Sequence, residues 1–369
     1  MIYDLNILED YVKQGLLRKI EDNELVQYNY SEYCNNNQLW DDITLFNRGN
    51  VYEKSTSKLI AKAMPKFFNF SQLSENEQKH FTRCDKFINT EKMDGCLGIL
   101  YKYKGKIRYN SRGGFDNYVT NAIKHILPKY NLEKLNEILD NNSLNVEVIS
   151  PKTKIICDYG EEENLYLISA FINLGDYWQE RSCDELDLFS KQTGLPRPAY
   201  NNYNWTQLFE WQKSANYEKE GFVVEINSVK YGAFERVKIK SEDYLKIAKF
   251  RASLCKHTLW KLWKNDIEQN MNTLNDYINN VPDELTKIAK KYLNELKKEL
   301  EEKRQEAFAL AESVKHIDRK DLAAYFKNSN DELWQTIYRI RDGKSFDKFL
   351  IKIIEPKNIV EDIVKVMEE

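Results

Sequence analysis

Three lysines and a glutamate stand out as groups able to do phosphoryl chemistry together. Lys92 opens "KMDG", Glu220 opens "EGFVVEI", and Lys238 and Lys240 sit two residues apart in "VKIKSEDY". On an extended strand residues i and i+2 share a face, so both lysines of "KIK" point the same way. A buried or half-buried strand seldom carries two lysines on one face without an anion to meet them. A lysine nucleophile must lose its proton near neutral pH, which desolvation or neighbouring cations can arrange. Cations around a phosphate stabilise the charge that develops in an in-line displacement, and a carboxylate can hold Mg²⁺. The four residues in β context therefore suggest a phosphate and metal site. Taken singly, each has a plainer reading. Lys92 is then a solvated charge before a turn, and Lys238 and Lys240 are a solvated edge-strand face.

The elements that must hold these residues are legible in the punctuation of the chain. From Asn47 to about Lys240, short β-rich runs alternate with Gly, Asn, Asp and Pro: "GNVYEK", "GILYKYKGKIRYNSRGG", "LNVEVIS", "KIICDYG", "LYLISAFI", "GFVVEIN" and "ERVKIK". Such runs predict a system of antiparallel sheets. "ILYKYKGKIRY" predicts a hairpin turning at Lys104-Gly105. Helical stretches, "FDNYVTNAIKHIL" and "LEKLNEILDNN", interrupt the sheets. After about Ser241 the strands stop, and long Glu/Lys-rich helical stretches take over. The predicted fold class is α+β: antiparallel sheets with flanking helices, then an all-α C-terminal domain. The 369 residues also argue for two domains, with boundaries at 1–243 and 244–369.

Composition narrows the function classes. With 55 basic and 58 acidic residues, whole-chain charge predicts no nucleic-acid partner, so any basic surface must come from local patterning. "YKYKGKIRYNSRGG" interleaves aromatic and basic residues as nucleic-acid surfaces do. No run approaches the length of a membrane span, and "MIYDLNILEDYVKQGL" is unlike a signal peptide. The expectation is a cytoplasmic protein, in a host's cytoplasm if phage-encoded, with reduced cysteines and no membrane association. Six scattered cysteines and four histidines make no zinc pattern.

The order "KMDG", "EVIS", "EGFVV" and "KIK" resembles motifs I, III, IV and V of the covalent nucleotidyltransferases, the superfamily of ATP-dependent ligases and mRNA capping enzymes. Upstream, "NRGNVYEKSTSKLIAKAMPKFFNF" is similar to the phage T4 RNA ligase 1 family in particular. The resemblance covers residues from about 40 to 250. It implies a nucleotidyltransferase domain in which Lys92 forms a covalent AMP adduct. Arg48 and Lys66 match basic residues at the ATP phosphates, and Phe68 matches an aromatic beside the nucleotide. Arg112, in "NSRGGF", matches motif Ia, and Gly95 closes motif I. Glu147 matches the acid on the ribose hydroxyls, and Glu220 the acid near the metal and the lysine. Lys238 and Lys240 match the α-phosphate pair, and Tyr244 a nucleotide-proximal tyrosine. Val223 and a residue near Leu167 are candidates for apolar walls around adenine. Cys96 departs from the family, which commonly has serine or another small residue there. A thiol so placed would expose the site to oxidation or alkylation.

The resemblance further implies an ATP-dependent RNA ligase using Mg²⁺ or Mn²⁺, with lysyl-AMP and RNA-adenylate intermediates. A helical domain in place of a β-rich one after motif V separates this family from DNA ligases and capping enzymes. In the family that domain favours broken tRNA anticodon loops, which implies tRNA repair and an end-processing kinase or phosphatase upstream. A monomer is expected. The alternatives are a non-catalytic RNA-end-binding protein that keeps the fold, or a nucleotidyltransferase acting on other RNA or DNA ends.

Overall fold

The computed structural model describes residues 3–279, 281, 283–327 and 332–356. Two compact units divide the chain, Met1–Leu245 and Lys246–Glu369. The last thirteen residues of the expected helical domain, 357–369, lie outside the described residues.

The first unit is built on three sheets, all antiparallel. One runs β1-β2-β3-β4, with β1 Leu17–Asp22, β2 Leu25–Tyr30, β3 Arg48–Glu53 and β4 Leu59–Ala61. A second runs β10-β9-β8-β6-β7, with β6 Cys96–Tyr103, β7 Lys106–Ser111, β8 Asn142–Ile149, β9 Asn164–Asn173 and β10 Trp178–Glu180. The third, β11-β5-β12-β13, joins β5 Phe87–Lys92, β11 Tyr200–Asn201, β12 Gly221–Lys230 and β13 Ala233–Lys240. Lys104 and Gly105 both take positive φ, 49° and 74°, and turn the β6–β7 hairpin in the geometry that matches strand twist.

The helix Tyr118–Ile126 covers the second sheet. It starts at Asn117, whose side chain accepts from the Val119 and Thr120 amides while the Thr120 hydroxyl accepts from the Asn117 amide, a reciprocal cap. Its buried face (Val119, Ala122, Ile123, Ile126) packs with Leu100, Leu144, Val146 and Leu167. A buried ion network joins the second sheet to the third. Arg236 on β13 donates from Nη1 and Nη2 to the two carboxylate oxygens of Glu180 on β10, each at 2.8 Å.

The second unit is helical: Lys256–Gln269, Thr273–Asn279, Asp283–Ser313, Leu322–Tyr325, Thr336–Arg341 and Asp347–Ile353. The long helix buries Ala289, Tyr292, Leu296, Leu300 and Ala307, a stripe at helical spacing. Trp260 donates from its indole nitrogen to the Ile351 carbonyl at 2.6 Å.

The strands differ from the sequence reading in several places: β4, β5, β10 and β11 lie outside the runs expected to be strands, and β5 ends on Lys92. The sheets begin thirty residues earlier than Asn47, with the β1–β2 hairpin. "KIICDYG", read as a strand, is a loop, because the Ile156 and Cys157 amides both donate to the Asp94 carboxylate instead of to a neighbouring strand.

Candidate active site

Register assembles the site. Gly221 on β12 stands opposite Lys92 on one side and Lys240 on the other. Two residues along, Val223 faces Thr90 and Lys238; two further, Glu225 faces Ile88 and Arg236. Since alternate residues share a face, three rows of side chains line one surface of the third sheet. That surface floors a cleft open to solvent, whose walls include Arg48, Met64, Phe67, Met93, Glu147 and Ile168. Only glycine fits at 221: its φ is +154°, and a Cβ would lie 2.0 Å from the Ile239 carbonyl oxygen.

At the head of the cleft one carboxylate bridges two lysines. Glu220, 3 % exposed, accepts from Lys92 Nζ on Oε2 and pairs with Lys240 Nζ through Oε1, each at 2.7 Å. Burial disfavours the Glu220 charge, but the two lysines overcome it and hold the carboxyl below its ordinary range. Burial likewise pulls the Lys92 ammonium down, and Glu220 and Glu147 outweigh it, so Lys92 is held above its ordinary value. Glu147 is raised by burial, and its Oε1 accepts from the Gly95 amide at 3.2 Å. Lys238 is the unbalanced member. No acid pairs with it among the described residues, its ammonium sits 4.5 Å over the Phe67 ring, and burial with Arg48, Lys92, Lys66 and Lys240 drives it well below the ordinary lysine value.

The turn after Lys92 is clamped by Asp94. Its Oδ2 accepts from the Ile156 and Cys157 amides, both at 2.8 Å, and its Oδ1 from the Tyr244 hydroxyl at 2.7 Å. Its own amide donates to the Tyr159 hydroxyl. Gly95 has no room for a side chain, since a Cβ would meet the Val148 carbonyl oxygen at 2.4 Å. Tyr244 therefore commits its hydroxyl to the turn, while Lys240 lies 5.0 Å over its ring.

The remaining cations gather on Tyr30, at the end of β2. Arg112 donates from Nη1 to the Tyr30 hydroxyl at 2.9 Å, and Lys66 stands within 5.5 Å of the rings of Tyr30, Trp40 and Phe68. Burial would raise this phenol, yet Arg112, Arg48 and Lys66 bring it below its ordinary value. Burial lowers Arg48 and Lys66 in turn.

Of the residues singled out from the sequence, Arg48, Lys92, Glu147, Val223 and Lys238 line the cleft, and Glu220 and Lys240 are paired at its head. Arg112 and Lys66 lie beside Tyr30. Phe68 faces Trp40, with ring centroids 5.5 Å apart, and the aromatic on the cleft wall is its neighbour Phe67. Leu167 is wholly buried under the helix Tyr118–Ile126; Ile168, on the opposite face of β9, lines the cleft. Burial pushes the Cys96 thiol up to about 11, which disfavours the thiolate on which the expected reactivity depends. Sequence reasoning missed Tyr30 and the clamping role of Asp94. The alternation in "LVQYNY" was the available signal for Tyr30, but nothing in it marks a site.

A family model for RNA ligase, of the T4 RNA ligase 1 type, matches residues 47–245, more than half of the chain. The chain belongs to the T4 RNA ligase 1 family. Among curated proteins, one of Autographa californica nuclear polyhedrosis virus, described as a bifunctional polynucleotide kinase/RNA ligase, is 29% identical over 227 residues, 55% of this chain and 30% of the viral protein. The chain thus matches less than a third of that relative's length. Among solved structures, an Aquifex aeolicus protein described as an ATP-dependent DNA ligase has a TM-score of 0.51 at 17% identity, covering 86% of this chain and 89% of that one, which shows a shared α+β ligase fold. An RNA ligase of Naegleria gruberi with ATP and Mn has a TM-score of 0.41 at 16% identity, covering 68% and 84%. Among the described residues no helix is long and apolar enough to cross a membrane.

Proposed function

We propose that this chain is an ATP-dependent RNA ligase in which Lys92 attacks the α-phosphate of ATP, releases pyrophosphate and carries AMP. The AMP passes to an RNA 5′-phosphate, and a 3′-hydroxyl then displaces it to close the phosphodiester. The observation that carries this reading is the Lys92–Glu220–Lys240 bridge beside an unbalanced Lys238 at the head of the cleft. Lys238 has the character of a cation awaiting an anion: charged, it is disfavoured until a phosphate arrives. Lys92 faces the opposite problem, since Glu220 and Glu147 favour its proton. Its nucleophilic form requires that the hold of Glu220 be weakened once ATP is bound. Arg48, Lys66 and Arg112 supply fixed positive charge for the β- and γ-phosphates.

Mg²⁺ or Mn²⁺ bound with ATP would neutralise phosphate charge. Among the described residues no group of three His, Cys, Asp or Glu converges as a metal site. Mg²⁺ commonly takes one or two carboxylates and completes its shell with phosphates and water, and Glu220 is the residue that would hold it once a lysine releases one of its oxygens.

We assign 1–243 to nucleotidyl transfer and 244–369 to RNA selection. Repair of broken tRNA anticodon loops, after a kinase or phosphatase has prepared the ends, is the role this reading favours. The test is a joining assay on nicked stem-loops with 5′-phosphate and 3′-hydroxyl ends, cleaved tRNAs among them. Sealing through an adenylated 5′ end is expected. Binding of the nicked RNAs with no adenylate and no joining would favour the non-catalytic alternative.

A further inference from the structure

The end of the cleft away from Lys92 carries donors and an acceptor that phosphate chemistry does not use. Arg197, 10 % exposed, lines the cleft there with Glu225. Its Nη2 donates to the Tyr200 hydroxyl at 2.9 Å. Among the described residues its Nε and Nη1 have no hydrogen-bond partner, and Nη1 stands 3.4 Å from Asp187 Oδ1 as an ion pair only. Glu225 commits Oε2 to Arg236, while among the described residues its Oε1 meets only the Cys183 thiol, at 3.9 Å. Buried donors without acceptors are costly, so this guanidinium is suited to a ligand that supplies one.

Position says which part of a nucleotide reaches it. The row holding Ile88, Glu225 and Arg236 lies four residues along the strands from the row holding Lys92, Gly221 and Lys240. At the rise of an extended strand that is about 13 Å, the reach of a nucleoside from its α-phosphate to the far edge of its base. Val223 and Thr90 occupy the row between.

We propose that Arg197 and Glu225 read the edge of the base and give the cleft its preference for adenine over guanine. The inference rests on the ATP reading of the site. Adenine presents an amino donor beside ring-nitrogen acceptors, whereas guanine places a carbonyl oxygen where adenine has the amino group. Glu225 Oε1 accepts from the amino group, and the unpartnered N–H groups of Arg197 donate to the adjacent N1, which in guanine carries a hydrogen and cannot accept. Guanine turns an acceptor toward the Glu225 acceptor.

The test measures equilibrium binding of ATP, GTP and purine riboside triphosphate, which is ATP without the amino group, to the full chain. Covalent labelling by the same three nucleotides runs beside it. Wild type is expected to bind ATP roughly 10- to 100-fold more tightly than either analogue, the worth of one or two buried hydrogen bonds. Arg197→Met is expected to weaken ATP by a similar factor and bring the ATP to GTP ratio towards one. Glu225→Gln, whose amide can present either a donor or an acceptor, is expected to narrow the ratio as well. Since Glu225 also holds Arg236, thermal melts accompany both variants. A folded Arg197→Met that keeps the wild-type ATP affinity and ratio overturns the proposal. Equal labelling from all three nucleotides sinks the base reading and leaves the ligase reading standing. Selective binding with no labelling does the reverse.

Discussion

Replacing Lys238 with methionine is expected to stabilise the free protein while abolishing nucleotidyl transfer. Lys238 is half-buried, its ammonium lies over Phe67, and its charged neighbours are Arg48, Lys92, Lys66 and Lys240. Methionine keeps the length and volume of the side chain and removes a charge that the fold does not compensate. Replacing buried ionic groups with apolar ones of similar volume commonly gains about 1–4 kcal/mol. The partial exposure of Lys238 argues for the lower half of that range, about 1–2 kcal/mol. In a unit of this size each kcal/mol moves the melting temperature by about 2–4 °C, so a rise of roughly 2–8 °C is expected. The sign of the pH dependence comes from a folded-state pKa below the unfolded value. The penalty is fully present at low pH, shrinks as pH rises through the folded pKa, and is gone above the unfolded value near 10.5. The gap between variant and wild type should therefore narrow as pH is raised. Calorimetric melts from about pH 6 to 10, with and without ATP, check this. ATP should raise the wild-type melting temperature far more than that of the variant. A variant less stable than wild type at every pH, or equally stabilised by ATP, would refute the reasoning.

Three further outcomes are expected. Asp94→Ala removes the acceptor of two amides and of the Tyr244 hydroxyl; at about 1–3 kcal/mol per stranded group the melting temperature should fall by at least about 6 °C, and an unchanged melt would remove Asp94 as the clamp. At low ATP, where the rate reports the free enzyme, labelling should climb with pH between about 6 and 9, because Glu220 and Glu147 hold Lys92 protonated and only its neutral form attacks; a flat profile would contradict that protonation state. Cys96, with its thiol pushed up to about 11, should resist iodoacetamide near neutral pH and react as pH approaches 11; rapid modification of Cys96 at neutral pH would count against its buried environment.

Much of the molecule is legible in the residue order because the information is local. Alternation and turn residues mark β3, β6, β7, β8, β9, β12 and β13 but not β5, which ends on Lys92. The spacing of Lys238 and Lys240 places them on one face, and Lys104-Gly105 turns as its composition demands. The features that escape are decided between distant segments. "KIICDYG" has the composition of a strand, but its amides are captured by a carboxylate some sixty residues upstream. Phe67 and Phe68 are adjacent and alike, and only the packing of Trp40 against Phe68 determines which one meets the cleft. Tyr30 sits in a hairpin with no motif, yet three cations from three other segments converge on it. The position of Cys96 in the chain suggests a reactive thiol, and only its packing shows that burial disfavours the thiolate.

The central claim is that Lys92 carries the nucleotide. Incubation with ATP labelled at the α-phosphate and Mg²⁺, then denaturation and peptide mapping, reads it directly. Label on the peptide containing Lys92, lost in Lys92→Ala and absent when ATP is labelled only at the γ-phosphate, is the predicted result. A wild-type protein that takes no label, or a Lys92→Ala protein that still does, would contradict the account.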